Sequence, residues 1–221
     1  MNPFKLTQRT YSIAMPPKEN KQDLGKQYQK KDLHQHIYDT PDTYVGGCDT
    51  IEEPIPVFES PTHIGTQSLE YIPALYNIFN EIVVNARDQS VRLQGLSGSE
   101  TPVSAIKVDI NVETGLVTVW NDGSGIDVVH HPSETTAKGK PLYIPEMIFG
   151  HLLTSTNYDK DEQKVVGGKN GYGAKLTNIF STFFKIETVD HVRQKKFVQE
   201  YSDNMKTIGT PKVTKYTLKP Y

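Results

Sequence analysis

The sequence predicts an α+β fold, a two-layer sandwich with helices on one face of a largely antiparallel sheet. Three observations carry this. A long amphipathic helix is written between Leu69 and Leu93, strand-like runs return on themselves across short turns, and three alternating runs close the chain as a meander. At 221 residues the chain can bury one good core and hold one large or two small domains.

Residues 1–27 are polar, with Pro16-Pro17 and scattered Lys, Gln and Asn, and read as a flexible arm ahead of a domain over 28–221. Tyr28-Gln29-Lys30-Lys31 opens a short helix that Thr40-Pro41-Asp42 closes, with Gly46-Gly47 as a turn. Residues 48–68 read as edge strand and loop. In the long helix Ile72, Leu75, Phe79, Ile82, Val83 and Ala86 form one apolar stripe, and Pro73 suits its first turn. Residues 94–102 are loop. Ile106, Val108, Ile110 and Val112 alternate with polar residues as a half-buried strand, and Leu116–Trp120 returns across Thr114-Gly115. A polar loop follows over 127–141, then a helix over Tyr143–Leu153 with Pro145 in its first turn. Thr154 to Gly173 is long, polar and glycine-rich enough to cover a ligand. Ala174–Phe180 is helical, and Thr182–Thr188, Lys195–Tyr201 and Val213–Leu218 are the closing strands.

Composition removes several functional classes. No run approaches the roughly eighteen apolar residues a membrane span needs, and the N-terminus lacks the apolar core of a secretory signal. The single cysteine, Cys48, has no internal disulfide partner and no basic sequence neighbour to activate it. Formal charge is −2 and pI 6.4, so a main surface that grips nucleic acid is not written here, although a larger assembly could supply one. His130-His131 lacks further Cys or His at ligand spacing, which leaves surface histidines as the simple reading.

The polar face of the long helix carries the chemistry. Asn77, Glu81, Asn85 and Asp88 stack in a column of carboxylates and amides without lysine, the donor set of a hard cation near phosphates. A solvated face that happens to lack lysine fits the helix equally well. Asn121-Asp122-Gly123-Ser124-Gly125 follows a strand directly. Its two glycines allow φ > 0 and close approach to a flat ligand, and Asn121 can both accept and donate; alone, a tight turn is the simpler reading. The stretch Gly167-Gly168-Lys169-Asn170-Gly171-Tyr172-Gly173-Ala174-Lys175 is more specific. Glycines flanked by lysines and leading into a helix describe a backbone cradle for phosphates. It is neither a P-loop, since Ala-Lys-Leu follows Gly173, nor a dinucleotide fingerprint, since Leu176 stands where a third glycine belongs. Thr154-Ser155-Thr156-Asn157 offers hydroxyls and an amide that would cap a helix or contact ribose and phosphate.

Together the motifs resemble the GHKL (Bergerat-fold) ATPase superfamily, and in detail the N-terminal ATPase region of eukaryotic-type type IIA DNA topoisomerases. The stretches that carry the resemblance are YQKKDLHQHIYDTPDTYVGG (28–47), EIVVNARD (81–88), VWNDGSG (119–125), YIPEMIFGHLLTSTNYD (143–159) and GGKNGYGAKLTNIFST (167–182). The resemblance implies ATP and magnesium as cofactors. Glu81 would be the general base for the attacking water, Asn85 the magnesium ligand, and Asn121 the nucleotide-binding amide near the adenine. Ser155, Thr156 and Asn157 would contact sugar and phosphate; Gly168, Lys169, Asn170, Gly171, Tyr172, Gly173, Ala174 and Lys175 would form the phosphate loop. Tyr28 would reach the partner's nucleotide in a homodimer closed by ATP. The implied work is passage of one DNA duplex through a break in another, in the nucleus of a cell, with viral or cytoplasmic origin left open and no membrane involved. Three positions depart from the pattern: Asn80 for Asp, Thr156 for Ser, and Lys169 for Arg, which loses bidentate geometry toward phosphate. The loops 94–102 and 127–141 look longer than typical. The resemblance also puts the transducer, TOPRIM and DNA-cleavage domains beyond Tyr221, which implies a piece of a larger enzyme that binds ATP but turns it over slowly alone. A GHKL chaperone or mismatch-repair clamp is disfavoured by Asn121, where those relatives carry Asp. A module that has lost turnover is disfavoured by Glu81.

Overall fold

The computed structural model describes residues 32–94, 101–136, 138–152 and 172–217. The described residues from Leu33 onward form one compact unit. Its first element is α1 (Leu33–Asp39), which stops where the Thr40 hydroxyl donates to the His36 carbonyl at 2.6 Å. Pro41 then opens α2 (Pro41–Tyr44) from the N-terminal position that needs no N–H. Gly46 takes φ 102°, which favours glycine, and brings the chain against the start of the next helix.

The stretch expected as edge strand and loop is a full hairpin, β1 (Ile51–Ser60) and β2 (His63–Tyr71), paired antiparallel from Ile51↔Tyr71 to Ser60↔His63. Pro54 and Pro56 hid it. They lie two apart, so both missing donors fall on one side of the strand and the other side keeps its donors for β2. Leu69–Tyr71, expected as helix, belong to β2; the residue before a proline avoids helical angles, and the long helix α3 (Pro73–Gln94) starts at Pro73.

The apolar stripe of α3 is rotated at its N-terminal end relative to the expectation. Ala74, Ala86 and Leu93 are buried, whereas Leu75 is 61% exposed. The Ala74 N–H donates to the Gly47 carbonyl (3.0 Å) and Asn77 donates to the Val45 carbonyl (2.7 Å). That seat on loop 45–47 satisfies a first-turn N–H and turns Ala74 and Ile78 inward.

Every remaining strand pairs antiparallel. β3 (Ile106–Asn111) and β4 (Leu116–Asn121) form a hairpin across Gly115 (φ 68°). β5 (His130–Thr135) and β6 (Pro141–Tyr143) form a second, irregular one inside the stretch expected to be loop. His-His-Pro-Ser-Glu-Thr has no alternation to reveal a strand; its ladder is anchored by His130, which pairs with Tyr143 and whose ring lies tilted against the Tyr143 ring with centroids 4.1 Å apart. α4 (Ile144–Gly150) and α5 (Gly173–Ile179) sit where expected. The closing meander is β7 (Phe183–Asp190), β8 (Lys195–Ser202), a two-residue β9 (Thr207–Ile208) and β10 (Lys212–Lys215), with β8 central. β9 and β10 share one edge of β8 and part where Gly209 presses on the Glu200 carbonyl and Pro211 lacks a donor.

One core joins these parts: Ile37 of α1, Val45, Ala74 of α3, Leu176 and Ile179 of α5, Tyr201 of β8, and Met205. Beneath it the Tyr201 hydroxyl donates to Gln199 (2.7 Å), and Gln199 donates to the Gly209 carbonyl (2.9 Å) and lies 3.5 Å from Glu146; the Tyr201, Gln199 and Glu146 side chains are buried. α5 is tied to α4 by Asn178, which donates to the Phe149 carbonyl at 3.1 Å. Among the described residues no helix is long and apolar enough to cross a membrane.

Candidate nucleotide site

Glu81 lies midway along α3 and faces the start of α5. Its carboxylate rests on the Cα of Gly173, so closely that a methyl group at 173 would overlap Oε2. Thr177, one turn into α5, holds the two helices in this register by donating to the Ile78 carbonyl at 2.8 Å. Burial, reinforced by the charge of Asp88, raises the Glu81 carboxyl above its ordinary 4.5. Asn85 projects one turn further along and is exposed.

The polar column thus divides by role. Asn77 is spent on the Val45 carbonyl, and Asp88 pairs with Arg87 at 3.2 Å. Glu81 and Asn85 remain as oxygen donors on successive turns, a hard donor set that fits magnesium.

Of the glycine-rich cradle, Tyr172 to Lys175 lie within the described residues. Tyr172 packs on the core, Gly173 meets Glu81, and Ala174 is buried. Lys175 is 1% exposed, and burial pushes its amine down to about 8. Gly168, Lys169, Asn170 and Gly171 lie outside the described residues, as do Ser155, Thr156, Asn157 and Tyr28.

Asn121 ends β4, and its side-chain oxygen accepts from the Gly123 N–H at 3.3 Å. The glycines of this loop do not serve the purpose expected of them. Neither takes a positive φ. Gly123 is pressed against Leu93 and Val103, and Gly125 against Thr188 and Val189, so each position lacks room for a Cβ. Close packing, not unusual backbone angles, demands glycine here.

Side chains that periodicity could not single out lash the loop down. Asp122 accepts from the Ser104 hydroxyl, from the Ser104 N–H (2.8 Å) and from the Ala105 N–H (2.9 Å); these bonds, the hydroxyl first, hold its carboxyl at about 2. Gln89 of α3 donates to the Ser124 carbonyl at 2.6 Å. Asp190 accepts from the Val128 N–H (2.9 Å) and pairs with Arg193 (3.0 Å), which also reaches Asp127 (2.6 Å). The one signal in the sequence was spacing: Gln89 stands four residues after Asn85, in the same row as Glu81.

Chemically, the described residues offer a half-buried carboxylate beside Gly173, an exposed amide oxygen one turn away on α3 and a buried lysine in the first turn of α5. Such a set can bind and polarise a phosphorylated ligand.

No family model matches the chain. DNA topoisomerase 2 of Acanthamoeba polyphaga mimivirus is 43% identical over 208 residues, covering 92% of this chain and 15% of its own length. DNA topoisomerase 2-alpha of Gallus gallus is 45% identical over 182 residues, covering 82% of this chain and 11% of its own. Among solved structures, the ATPase region of Saccharomyces cerevisiae topoisomerase II superposes with a TM-score of 0.77 at 43% identity, over 89% of this chain and 49% of that one. Fold, motifs and relatives agree on the class, a GHKL-type ATPase region with an α+β fold. Within that class, the chain belongs to the type II DNA topoisomerase family.

Proposed function

We propose that this chain binds ATP with magnesium between α3 and the start of α5 and hydrolyses it, as the nucleotide-operated part of a type II DNA topoisomerase. The observation that carries the reading is the Glu81 carboxylate seated on Gly173. The proposed base on α3 and the last glycine of the proposed phosphate cradle lie in contact. Glu81 takes a proton from, and orients, the water that attacks the terminal phosphate. Asn85 would hold magnesium through its amide oxygen, and the bound ion supplies charge neutralisation on the phosphates. Backbone N–H groups at the start of α5 and the Lys175 ammonium stabilise charge on the phosphates, and Asn121 recognises the adenine. Ser155, Thr156 and Asn157 contact sugar and phosphate, Gly168 to Gly171 complete the cradle, and Tyr28 reaches the nucleotide of a second copy.

In the longer protein, nucleotide closes a homodimer, and that closure drives one DNA duplex through a transient break in another, in the nucleus of a cellular host. Glu81→Gln tests the chemistry. Nucleotide binding persists and hydrolysis falls by roughly 10²- to 10⁴-fold, the usual worth of a positioned base. Hydrolysis surviving unchanged in that variant would transfer the role to another residue.

A further inference from the structure

The geometry points to Gln89 as a positioning residue: it sets the loop Asn121–Gly125 against the catalytic helix and thereby fixes selectivity for adenine over guanine. The inference rests on the nucleotide reading above and goes one residue further.

Glu81, Asn85 and Gln89 follow at four-residue spacing, so they share one row of α3. The first two are the proposed base and metal ligand; the third turns to the loop. Its amide nitrogen donates to the Ser124 carbonyl at 2.6 Å, and its amide oxygen accepts from Arg92. Ser124 is 7% exposed and already committed. Its N–H donates to the Thr101 carbonyl (2.9 Å), and its hydroxyl accepts from the Thr101 N–H (2.7 Å). Gln89 therefore grips a rigid knot. Gly123, the next residue back, lies against Leu93 on the same helix, and its N–H donates to the Asn121 side chain. Placement of Ser124 thus passes through Gly123 to the orientation of the Asn121 amide.

Amide orientation is what separates the two purines. Adenine offers an exocyclic amine where guanine offers a carbonyl, so an amide held in one orientation favours one of them. Removing the Gln89 donor leaves a partly buried carbonyl without that bond and frees the loop to shift. A tie that merely stabilised the fold would lower melting temperature without touching base selectivity.

The single tryptophan, Trp120, stands beside Asn121, and its emission reports ligand at the loop. The 221-residue chain, Gln89→Met (similar volume, no donor) and Gln89→Glu (same length, no donor) are titrated with magnesium and non-hydrolysable analogues of ATP and GTP. Affinity for the ATP analogue falls about tenfold in both variants, as expected for one lost hydrogen bond, while affinity for the GTP analogue stays within about twofold. Melting is followed in parallel. An unchanged ratio of the two affinities in both variants would overturn the inference, as would loss of cooperative melting in both, which would make Gln89 purely structural. A wild-type chain that binds neither analogue would instead overturn the nucleotide reading, and this inference with it.

Discussion

In the proposed site Glu81 and Lys175 would meet the same ligand, from environments that shift them in opposite ways. Burial raises the Glu81 carboxyl from 4.5, so the acid limb of the hydrolysis rate lies above the ordinary glutamate range and activity falls as pH drops through it. A pH–rate profile checks this, and Glu81→Asp, with its shorter reach, shifts and weakens that limb. Burial also lowers the Lys175 amine from 10.5 to about 8. Two trends with opposite signs follow. Between about pH 8 and 10.5 the folded state has shed a proton that the unfolded chain keeps, so stability rises with pH across that window. Nucleotide affinity moves the other way, falling as pH passes 8, because a neutral amine cannot attract phosphate. Melting and binding measured between pH 7 and 9.5 separate the two, and Lys175→Met removes both trends.

The helices and loops owe their placement to a few directional bonds. α5 meets α3 through Thr177 and through the absence of a side chain at Gly173. Gly173→Ala drives a methyl into the Glu81 carboxylate, so hydrolysis falls by about tenfold or more as the base is displaced; steady-state rates with the fold monitored by circular dichroism check it. The loop after β4 depends on Asp122, whose carboxyl lies below its unfolded value of 3.8, at about 2. Its contribution is fully present above pH 3.8 and is lost as pH falls through 2, and Asp122→Ala removes it at neutral pH, seen as a lower melting temperature. Behind α4 the Tyr201 hydroxyl donates into the buried Gln199 amide. Tyr201→Phe leaves that oxygen short of a partner and costs roughly 1–3 kcal/mol in denaturant unfolding.

Across the molecule, the α+β arrangement and the positions of most elements were legible because apolar periodicity and glycine-rich turns survive in a single sequence. α3, α4, α5 and the closing meander read this way; β3 and β4 are strands as expected, but the face of Ile106, Val108, Ile110 and Val112 expected to be half-buried is exposed. What failed to show has physical causes. Leu75 reads as core by spacing but is exposed, because hydrogen bonds from Ala74 and Asn77 to loop 45–47 turn the helix. The β5–β6 hairpin is built of polar residues and announces no strand, and the two prolines of β1 reduce residues 48–68 to edge strand and loop where a full hairpin forms. The pairing of Glu81 with Gly173 across ninety-odd positions was implied by resemblance alone; spacing cannot measure a tertiary distance. Thr177 was missed for the same reason, and Gln89 shows only its four-residue spacing after Asn85, which places it on the row of Glu81 but does not name its partner.

A crystal structure of this chain soaked with magnesium and a non-hydrolysable ATP analogue bears most immediately on whether one cavity unites α3 with the start of α5. The terminal phosphate is expected between the Glu81 carboxylate and the backbone at Gly173, the ion on the Asn85 amide oxygen, and the adenine at Asn121. Nucleotide bound elsewhere, or bound there with Glu81 turned from the terminal phosphate, would contradict it.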